Sequence, residues 1–342
     1  MTLATRPLGT SGLDITPVGL GAWAIGGGEW KYGWGSQDDR ASIAAINRAV
    51  ELGLNWIDTA AIYGIGHSEE VVGRALREMP AGDRPLVFTK CGRVADPARP
   101  DDEPVTTLEP GSMRRELEGS LRRLGVERID LYQFHWPDPG TTPLEDSWAE
   151  MVRFVDEGKV RAIGVANFTV ELLDRAEAIR HVDSVQPPFS AIRRGSAGDV
   201  IPWAAAHGSG VIVYSPMQSG LLTDSFTRER VGAMGERDWR RRHPNFAEPN
   251  LSANLALRDA LAPIAARHRT TASSVAIAWT LAWQGVTGAI VGARSADQIG
   301  GWVGGAAVRL GPDDLAEIAA AIEATGAGSG PTRPDAPPTS RS

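Results

Sequence analysis

The stretch IDLYQFHWPDPGTTPLEDSWAEMVRFVDEGKVRAIGVAN, residues 129–167, contains a predicted strand, a predicted helix and a second predicted strand. Its first part ends at His135 and its last part ends at Asn167, and both parts are short runs rich in apolar and β-branched residues. Between them, LEDSWAEMVRFVDEG has apolar residues at helical spacing and ends at a glycine, as helices often do. The stretch is therefore typical of a parallel βαβ unit.

Further strand candidates lie on both sides of this unit, and amphipathic helical patterns separate them. They are VGLG near Val18, NWID ending at Asp58, LVFTK ending at Lys90, SVQ ending at Gln186, GVIVYS around Tyr214 and GAIVGAR around Val291. Eight right-handed βα units close most economically as a barrel, because open doubly wound sheets usually have fewer strands and reverse their strand order. The chain is therefore predicted to be an α/β protein, a (β/α)8 TIM barrel.

The segments outside this repeat are predicted to add to one domain, residues 1–325. The N-terminal RPLGTSGLDITPVGLG reads as a hairpin turning at residues 10–12, expected to plug the barrel floor, and GPDDLAEIAAAIEAT reads as an extra C-terminal helix. Residues 326–342 are too poor in apolar residues to pack and are predicted to be a flexible tail. Residues 217–250 break the repeat after the seventh strand, which favours a lid over the mouth; a solvated loop is the alternative.

The composition narrows the class of partner. A formal net charge of -7 argues against nucleic-acid binding, which depends on clustered cations, and favours a small-molecule partner. No apolar run approaches the roughly 20 residues of a membrane span. The single cysteine, Cys91, cannot form an internal disulfide and the N-terminus lacks the apolar core of a signal peptide, so a cytoplasmic location is expected.

Several familiar motifs are absent or misleading. GLGAWA, residues 19–24, fits the G-x-G-x-x-G/A dinucleotide pattern, but three glycines and an aromatic loop follow it where a helix should open, so we reject it. Phosphate-binding Walker loops, HExxH, GxSxG and multi-cysteine spacings do not occur, and no metal site is predicted.

The positive signal is the position of four residues at the ends of predicted strands. Asp58, Lys90 and His135 end the second, third and fourth strands, and Tyr63 follows Asp58 closely. Because the carboxyl ends of barrel strands meet at one mouth, these side chains are expected to converge. A rim ion pair and a structural histidine are the simpler readings of the same residues.

Together the four residues suit carbonyl reduction. Tyr63 is the candidate acid that protonates the carbonyl oxygen, and the Lys90 ammonium is expected to lower the pKa of the phenol from about 10. Asp58 would hold Lys90 charged, and His135 would donate a hydrogen bond to the substrate oxygen.

The surrounding sequence resembles the aldo-keto reductase superfamily over nearly the whole chain, to about residue 325. The resemblance is carried by GLNWIDTAAIYGIGHSEEVVGRAL, LGVERIDLYQFHWPD, VFTK, GKVRAIGVANF, SVQPPFS, VYSPMQSGLLT and IVGARSADQ, in the order of the family. It implies that Asp58, Tyr63, Lys90 and His135 form a catalytic tetrad. It also implies an NADP(H)-dependent enzyme that reduces an aldehyde, ketone or sugar-like carbonyl, or oxidises the corresponding alcohol.

The resemblance further implies a set of cofactor-binding residues. Asn167 and Gln186 would hydrogen-bond the nicotinamide carboxamide, and Tyr214 would stack on its ring. The pyrophosphate would lie on backbone around Ser215, Met217, Ser219, Gly220 and Leu221. Arg294, Ser295 and Gln298 match the adenosine-phosphate site, which favours NADPH because a guanidinium binds a phosphate well, although a surface salt bridge is the alternative for Arg294. Trp23 and Gly292 complete the set.

Some positions depart from the pattern of the family. Ala166 replaces a common serine, and Gly301-Trp302 stands where many members have Glu-Asn, which leaves the adenine contact open. Of the eleven tryptophans, those expected in loops at the mouth are candidates to line the substrate pocket, with packing as the alternative: Trp23, Trp30, Trp34 and Trp136. The lid arginines, for example Arg240, either reach the cofactor phosphates or form a solvated charge run. A regulatory NADP(H)-binding subunit with little turnover, like the β subunits of potassium channels, is the alternative function.

Overall fold

The computed structural model describes residues 3–28, 30–236 and 238–334. In chain order, its strands are β1 (Arg6–Pro7), β2 (Asp14–Ile15), β3 (Val18–Gly21), β4 (Trp56–Asp58), β5 (Leu86–Cys91), β6 (Arg93–Val94), β7 (Val105–Thr106), β8 (Ile129–Phe134), β9 (Val160–Ala166), β10 (Ser184–Gln186), β11 (Gly210–Tyr214) and β12 (Val286–Gly292). Eight of them form a closed parallel barrel in the order β3-β4-β5-β8-β9-β10-β11-β12. The pairing of β12 with β3 closes the ring, which confirms the predicted (β/α)8 architecture.

Helices surround the barrel. They are α1 (Asp39–Glu51), α2 (His67–Glu78), α3 (Pro110–Leu124), α4 (Leu144–Asp156), α5 (Val170–Glu177), α6 (Val200–His207), α7 (Arg228–Gly232), α8 (Asn250–Arg267), α9 (Ala272–Leu281), α10 (Ala296–Trp302) and α11 (Pro312–Thr325). Side-chain caps mark several starts; Asp38, for example, accepts a hydrogen bond from the amide of Ala41 at the start of α1. Helix α11 confirms the predicted C-terminal helix. Within the described residues, no helix is long and apolar enough to cross a membrane.

The N-terminal hairpin closes the lower end of the barrel, as predicted. Strands β1 and β2 pair antiparallel, and Leu8, Leu13 and Ile15 are fully or almost fully buried. These three side chains pack in one cluster with inward-facing residues of the barrel, namely Trp56, Phe88, Leu131, Ala162, Ile212 and Ile290, of which Ile290 also lines the cavity at the upper end. The barrel is therefore filled with apolar side chains at the bottom, and polar groups are left for the upper end.

The first glycine of GLGAWA serves packing in the barrel. Gly19 lies in β3 and faces the Trp56 ring: a Cβ atom at this position would lie 2.2 Å from ring carbons. After β3 the chain enters a short 3-10 helix at Ala24–Gly26, and no α-helix opens within the glycines of this described segment. The rejection of the Rossmann reading is consistent with this geometry.

Gly19→Ala is expected to lower the free energy of unfolding by about 1–3 kcal/mol, because overpacking a rigid core displaces its neighbours. Urea denaturation of the parent and the variant measures the change. Gly300→Ala is the matched control, since a Cβ atom at Gly300 in α10 meets nothing within 4 Å. A Gly19→Ala variant as stable as the parent would contradict the tight contact with Trp56.

The first part of the predicted tail packs on the barrel, contrary to the expectation that packing ends at residue 325. The buried Arg194 guanidinium donates to the carbonyl oxygens of Ala327 (3.0 Å) and Gly330 (3.2 Å), and the backbone of Ser329 bridges to Arg193. These hydrogen bonds are accepted by backbone carbonyl groups. They could therefore not be predicted from the amino-acid composition of the segment. Residues 335–342 of the predicted tail lie outside the described residues.

Candidate active site

Asp58 and Lys90 form a buried ion pair at the upper end of the barrel. The Lys90 Nζ atom lies 2.5 Å from Asp58 Oδ1 and donates a second hydrogen bond to the Thr59 carbonyl oxygen at 2.9 Å. Gln186 crosses from β10 and donates to Asp58 Oδ2 at 2.9 Å. The carboxylate and the ammonium are therefore held by three separate elements and have little freedom to turn.

Tyr63 and His135 lie above this pair and face each other. The Lys90 Nζ atom is 5.3 Å from the centroid of the Tyr63 ring, and the Tyr63 and His135 rings meet edge to face with centroids 5.5 Å apart. His135 follows the end of β8, and its amide donates to the carbonyl oxygen of Cys91. The structure thus brings together all four residues of the predicted tetrad.

Burial dominates the protonation of these groups. Burial raises the pKa of Tyr63 well above its usual value, and the nearby Asp58 carboxylate adds to the rise. The pKa of His135 is lowered well below its usual value by burial and then by the positive charges of Lys90 and Arg93. At neutral pH Tyr63 is therefore a neutral phenol and His135 a neutral imidazole, and both can donate a hydrogen bond.

The predicted net lowering of the Tyr63 pKa is wrong for this structure, because the net shift is upward. We expected the ammonium to lower the pKa of the phenol, whereas burial and Asp58 raise it. Burial also lowers the pKa of Lys90 and raises the pKa of Asp58, with the opposite charge of each partner opposing these shifts. Lys90 contacts Asp58 directly and lies 5.3 Å from the centroid of the Tyr63 ring, so burial and Asp58 outweigh the ammonium in setting the pKa of the phenol.

A cavity of about 900 Å³ opens above the tetrad and runs toward the start of α10. It is lined by Asp58, Tyr63 and His135, while the fully buried Lys90 lies behind them. Most of the predicted cofactor and substrate residues also line it: Trp23, Trp30, Trp34, Trp136, Asn167, Gln186, Tyr214, Ser215, Met217, Ser219, Gly220, Gly292, Arg294 and Gln298. The volume is large enough for an extended ligand together with a small one.

Two predicted residues do not line this cavity. The Leu221 side chain is fully buried in the apolar core, and Ser295 is the residue before α10. The contact predicted for Leu221 was through its backbone, so the buried side chain does not bear on it, and the contacts predicted for Leu221 and Ser295 stay predictions. Gly301 and Trp302, where the adenine contact was left open, do line the cavity, and the Trp302 side chain is largely buried.

Backbone strain concentrates along the middle of the cavity. Asn167, Ser215 and Ser219 have positive φ values of 62°, 62° and 54°. Non-glycine residues rarely adopt this conformation, and when they do it is often at a site that binds a ligand. The Asn167 side chain is fixed as well: it accepts from Tyr214 Oη at 2.8 Å and donates to the His135 carbonyl oxygen at 2.9 Å.

Arginines converge at the far end of the cavity. Arg294 donates to Gln37 Oε1 at 2.7 Å and to the carbonyl oxygens of Trp34 and Ser36, so it makes no ion pair among the described residues. Burial lowers the pKa of Arg294, and the positive charges of Arg240 and Arg230 add to this effect. The surface salt bridge considered for Arg294 is thus not seen, and the cluster favours an anionic ligand.

Residues 217–236 and 238–250 cover the mouth of the barrel, in agreement with the lid prediction and against the solvated loop. Trp239 stacks on Trp23 with ring centroids 5.1 Å apart. The buried Arg240 lies over the Trp34 ring at 4.6 Å and pairs with Asp238. Sequence reasoning missed Trp239; a tryptophan within a long polar insertion was the available signal.

The hairpin of β6 and β7 adds a polar wall that sequence reasoning also missed. Arg93 and Glu103 both line the cavity and form an ion pair at 2.8 Å. Glu103 accepts from Tyr32 Oη at 2.6 Å and pairs with Lys31 at 3.1 Å, and these bonds hold the pKa of Glu103 at about 2. The carboxylate therefore stays ionised over the whole physiological pH range.

Comparison with known proteins agrees with this architecture. The model of the aldo/keto reductase family matches residues 17–323. The chain is 34% identical to aldo-keto reductase YhdN of Bacillus subtilis (strain 168), covering 96% of each chain, and 33% identical to the NADH-specific methylglyoxal reductase of Escherichia coli (strain K12), covering 93% of this chain and 98% of the relative. The solved glycerol dehydrogenase AKR11B4 from Gluconobacter oxydans superposes with a TM-score of 0.83 at 33% identity, covering 97% of this chain and 98% of that chain.

Proposed function

The chain belongs to the aldo/keto reductase family, and we propose that it reduces the carbonyl group of an aldehyde, ketone or sugar-like substrate with NADPH. Reversible oxidation of the corresponding alcohol is part of this proposal. The observation that carries it is the Asp58–Lys90 ion pair beneath Tyr63, with His135 facing the same ring. Enzymes of the family use nicotinamide cofactors, and the choice of NADP(H) is the finer part of the proposal.

The residues along the cavity fit a nicotinamide cofactor. Gln186 and Asn167 present amide groups beside the tetrad, and the Tyr214 ring lies next to them at the end of β11. The left-handed Ser215 and Ser219 would hold the pyrophosphate through their backbone, and the arginines at the far end supply positive charge. When bound there, the cofactor supplies the hydride.

In this proposal the protein supplies the proton and the alignment. Tyr63, a neutral phenol, gives its proton to the carbonyl oxygen as negative charge develops there. His135, a neutral imidazole, donates a hydrogen bond to the same oxygen and holds it toward Tyr63. Lys90 and Asp58 stay paired below, and the ammonium offsets the charge left on the Tyr63 oxygen after proton transfer.

Arg294 is proposed to select NADPH through its 2′-phosphate. Because a charge-assisted hydrogen bond is worth about 1.5–3 kcal/mol, Arg294→Ala should weaken NADPH binding by roughly 10- to 150-fold and hardly affect NADH. Fluorescence titration of both cofactors against parent and variant measures the difference. The NADH-specific relative makes this choice of cofactor worth testing first.

Gln37→Ala is the matched control for this experiment. It removes the side-chain amide whose Oε1 atom accepts a hydrogen bond from Arg294 Nε at 2.7 Å, and so it loosens the same loop. It keeps the positive charge of Arg294. The control should leave the ratio of NADPH to NADH affinity close to that of the parent. If Arg294→Ala weakens the binding of NADPH and of NADH by the same factor, Arg294 only anchors the loop. The NADP(H) assignment then loses its main support.

A regulatory NADP(H)-binding subunit remains the second candidate function, since binding alone needs only the cavity. Steady-state turnover of a generic aldehyde with NADPH and with NADH separates the two. Turnover supports the enzyme, whereas tight cofactor binding without turnover supports the regulatory subunit. The cytoplasmic location expected from the sequence stays a prediction.

A further inference from the structure

The wall formed by Arg93 and Glu103 lines the same cavity as Tyr63 and His135. From Tyr63 the cavity leads over the Trp30 ring, with centroids 6.5 Å apart, to the Tyr32 ring 5.8 Å further on. The hydroxyl of Tyr32 bonds to Glu103. Arg93 is close enough to the tetrad for its charge to lower the pKa of His135. A short chain that starts at Tyr63 therefore points toward this wall.

The wall presents donors and acceptors together. Arg93 is mostly buried, with 17% of its side chain exposed, and its Nη1 and Nη2 atoms donate to Thr106 and Glu103. A guanidinium has five N–H donors, so further donors remain for a ligand in the cavity. The ionised Glu103 offers only acceptor positions.

The pairing of the two charges decides which substrate group fits. A hydroxyl both donates and accepts, so it can bond to Arg93 and Glu103 at once. A carboxylate on the substrate would bond to Arg93 but meet the like charge of Glu103. An unsubstituted alkyl chain would leave the largely buried Arg93 without the bonds that water gives it, whereas Glu103, with 52% of its side chain exposed, keeps contact with solvent. The Trp30 and Tyr32 rings provide apolar faces for the carbon chain.

We propose that the Arg93–Glu103 pair makes the site selective for neutral carbonyl substrates that carry hydroxyl groups along a short chain, over alkyl and carboxylate-bearing carbonyl compounds. This selectivity rests on the proposed reductase function. It assigns the substrate class to two residues of the β6–β7 hairpin rather than to the tryptophans alone.

The test compares three four-carbon aldehydes: erythrose, butanal and succinic semialdehyde. In Glu103→Gln, the ratio of kcat/KM for erythrose to that for butanal should fall about 10- to 100-fold relative to the parent, because a charged acceptor is lost. The ratio for succinic semialdehyde to butanal should rise about tenfold, because Arg93 is left without its carboxylate partner. Comparing variant with parent cancels the intrinsic reactivity of each aldehyde.

Arg93→Gln is the second variant, and it separates the two charges. It should lower the erythrose ratio as well, but it should not raise the ratio for succinic semialdehyde, since the cation is gone. Glu145→Gln, which breaks the exposed Arg175–Glu145 ion pair far from the cavity, should leave both ratios unchanged.

Two results would overturn the selectivity. One is an equal fall of kcat/KM for all three aldehydes in Glu103→Gln. The Arg93–Glu103 ion pair would then only stabilise the contact between two loops. The other is a pair of ratios that do not move in either variant. In both cases the parent still reduces butanal, so the proposed reductase stands; a parent that turns over none of the three aldehydes overturns the proposed function itself.

Discussion

Tyr63→Phe should lower kcat for aldehyde reduction by about 100- to 10,000-fold, the usual contribution of a positioned acid, while NADPH affinity stays within a few-fold of the parent. The substitution removes one hydroxyl and keeps the ring that packs against Trp23 and His135. Because the phenol is neutral at every physiological pH, it is ready to donate its proton without a prior protonation step. Single-turnover rates at saturating NADPH measure the loss at the chemical step.

Tyr132→Phe is the matched control for this loss. It makes the same chemical change in a tyrosine that is fully buried outside the barrel, where its ring packs on Phe154. Its single-turnover rate should equal that of the parent. If Tyr63→Phe also reduced aldehydes within a few-fold of the parent rate, Tyr63 could not be the proton donor.

The sequence predicted the barrel and the meeting of the tetrad for one physical reason. Each parallel strand is a buried apolar run that can be recognised alone, and closure of the barrel places the ends of all strands on one rim. Asp58 ends β4, Lys90 lies one residue before the end of β5, and His135 follows β8 directly. Residues far apart in the sequence could therefore be placed together without any knowledge of their contacts.

Contacts made by irregular segments were not predictable in this way. Trp239 reaches Trp23 from a 3-10 helix in a long insertion, and Glu103 reaches Tyr32 from the irregular connection between β6 and β7. Neither segment has a regular spacing of apolar residues that would indicate which side chains face the barrel. Residues 326–330 pack through their backbone on Arg194, which leaves no trace in composition.

The sign of the pKa shift on Tyr63 also depended on facts that the sequence does not contain. A lysine near a phenol lowers its pKa, whereas burial and a nearby carboxylate raise it. The sequence predicted that Lys90 and Asp58 lie near Tyr63. It did not predict which charged group contacts which partner. In the structure Lys90 is in contact with Asp58 and reaches only the Tyr63 ring, so burial and the carboxylate determine the direction.

Because of this arrangement, Lys90→Met is the second substitution expected to have a large effect. It should lower both the free energy of unfolding and the rate of reduction. Removal of the ammonium leaves Asp58 buried without its cation, and breaking a buried ion pair typically costs about 3–5 kcal/mol. Reduction should also slow by a factor comparable to that of Tyr63→Phe, because nothing then offsets the charge left on the Tyr63 oxygen after proton transfer. Urea denaturation measures the first effect, and single-turnover rates on the folded variant measure the second.

The double variant Asp58→Asn with Lys90→Met separates the two effects. It removes the buried carboxylate together with its partner, so most of the lost free energy of unfolding should return. The rate of reduction should stay low, because the ammonium is still missing below Tyr63. Recovery of both stability and rate in the double variant would show that Lys90 serves only to neutralise Asp58. A persistent loss of rate in a stable double variant instead shows that neutralising Asp58 is not the whole role of Lys90.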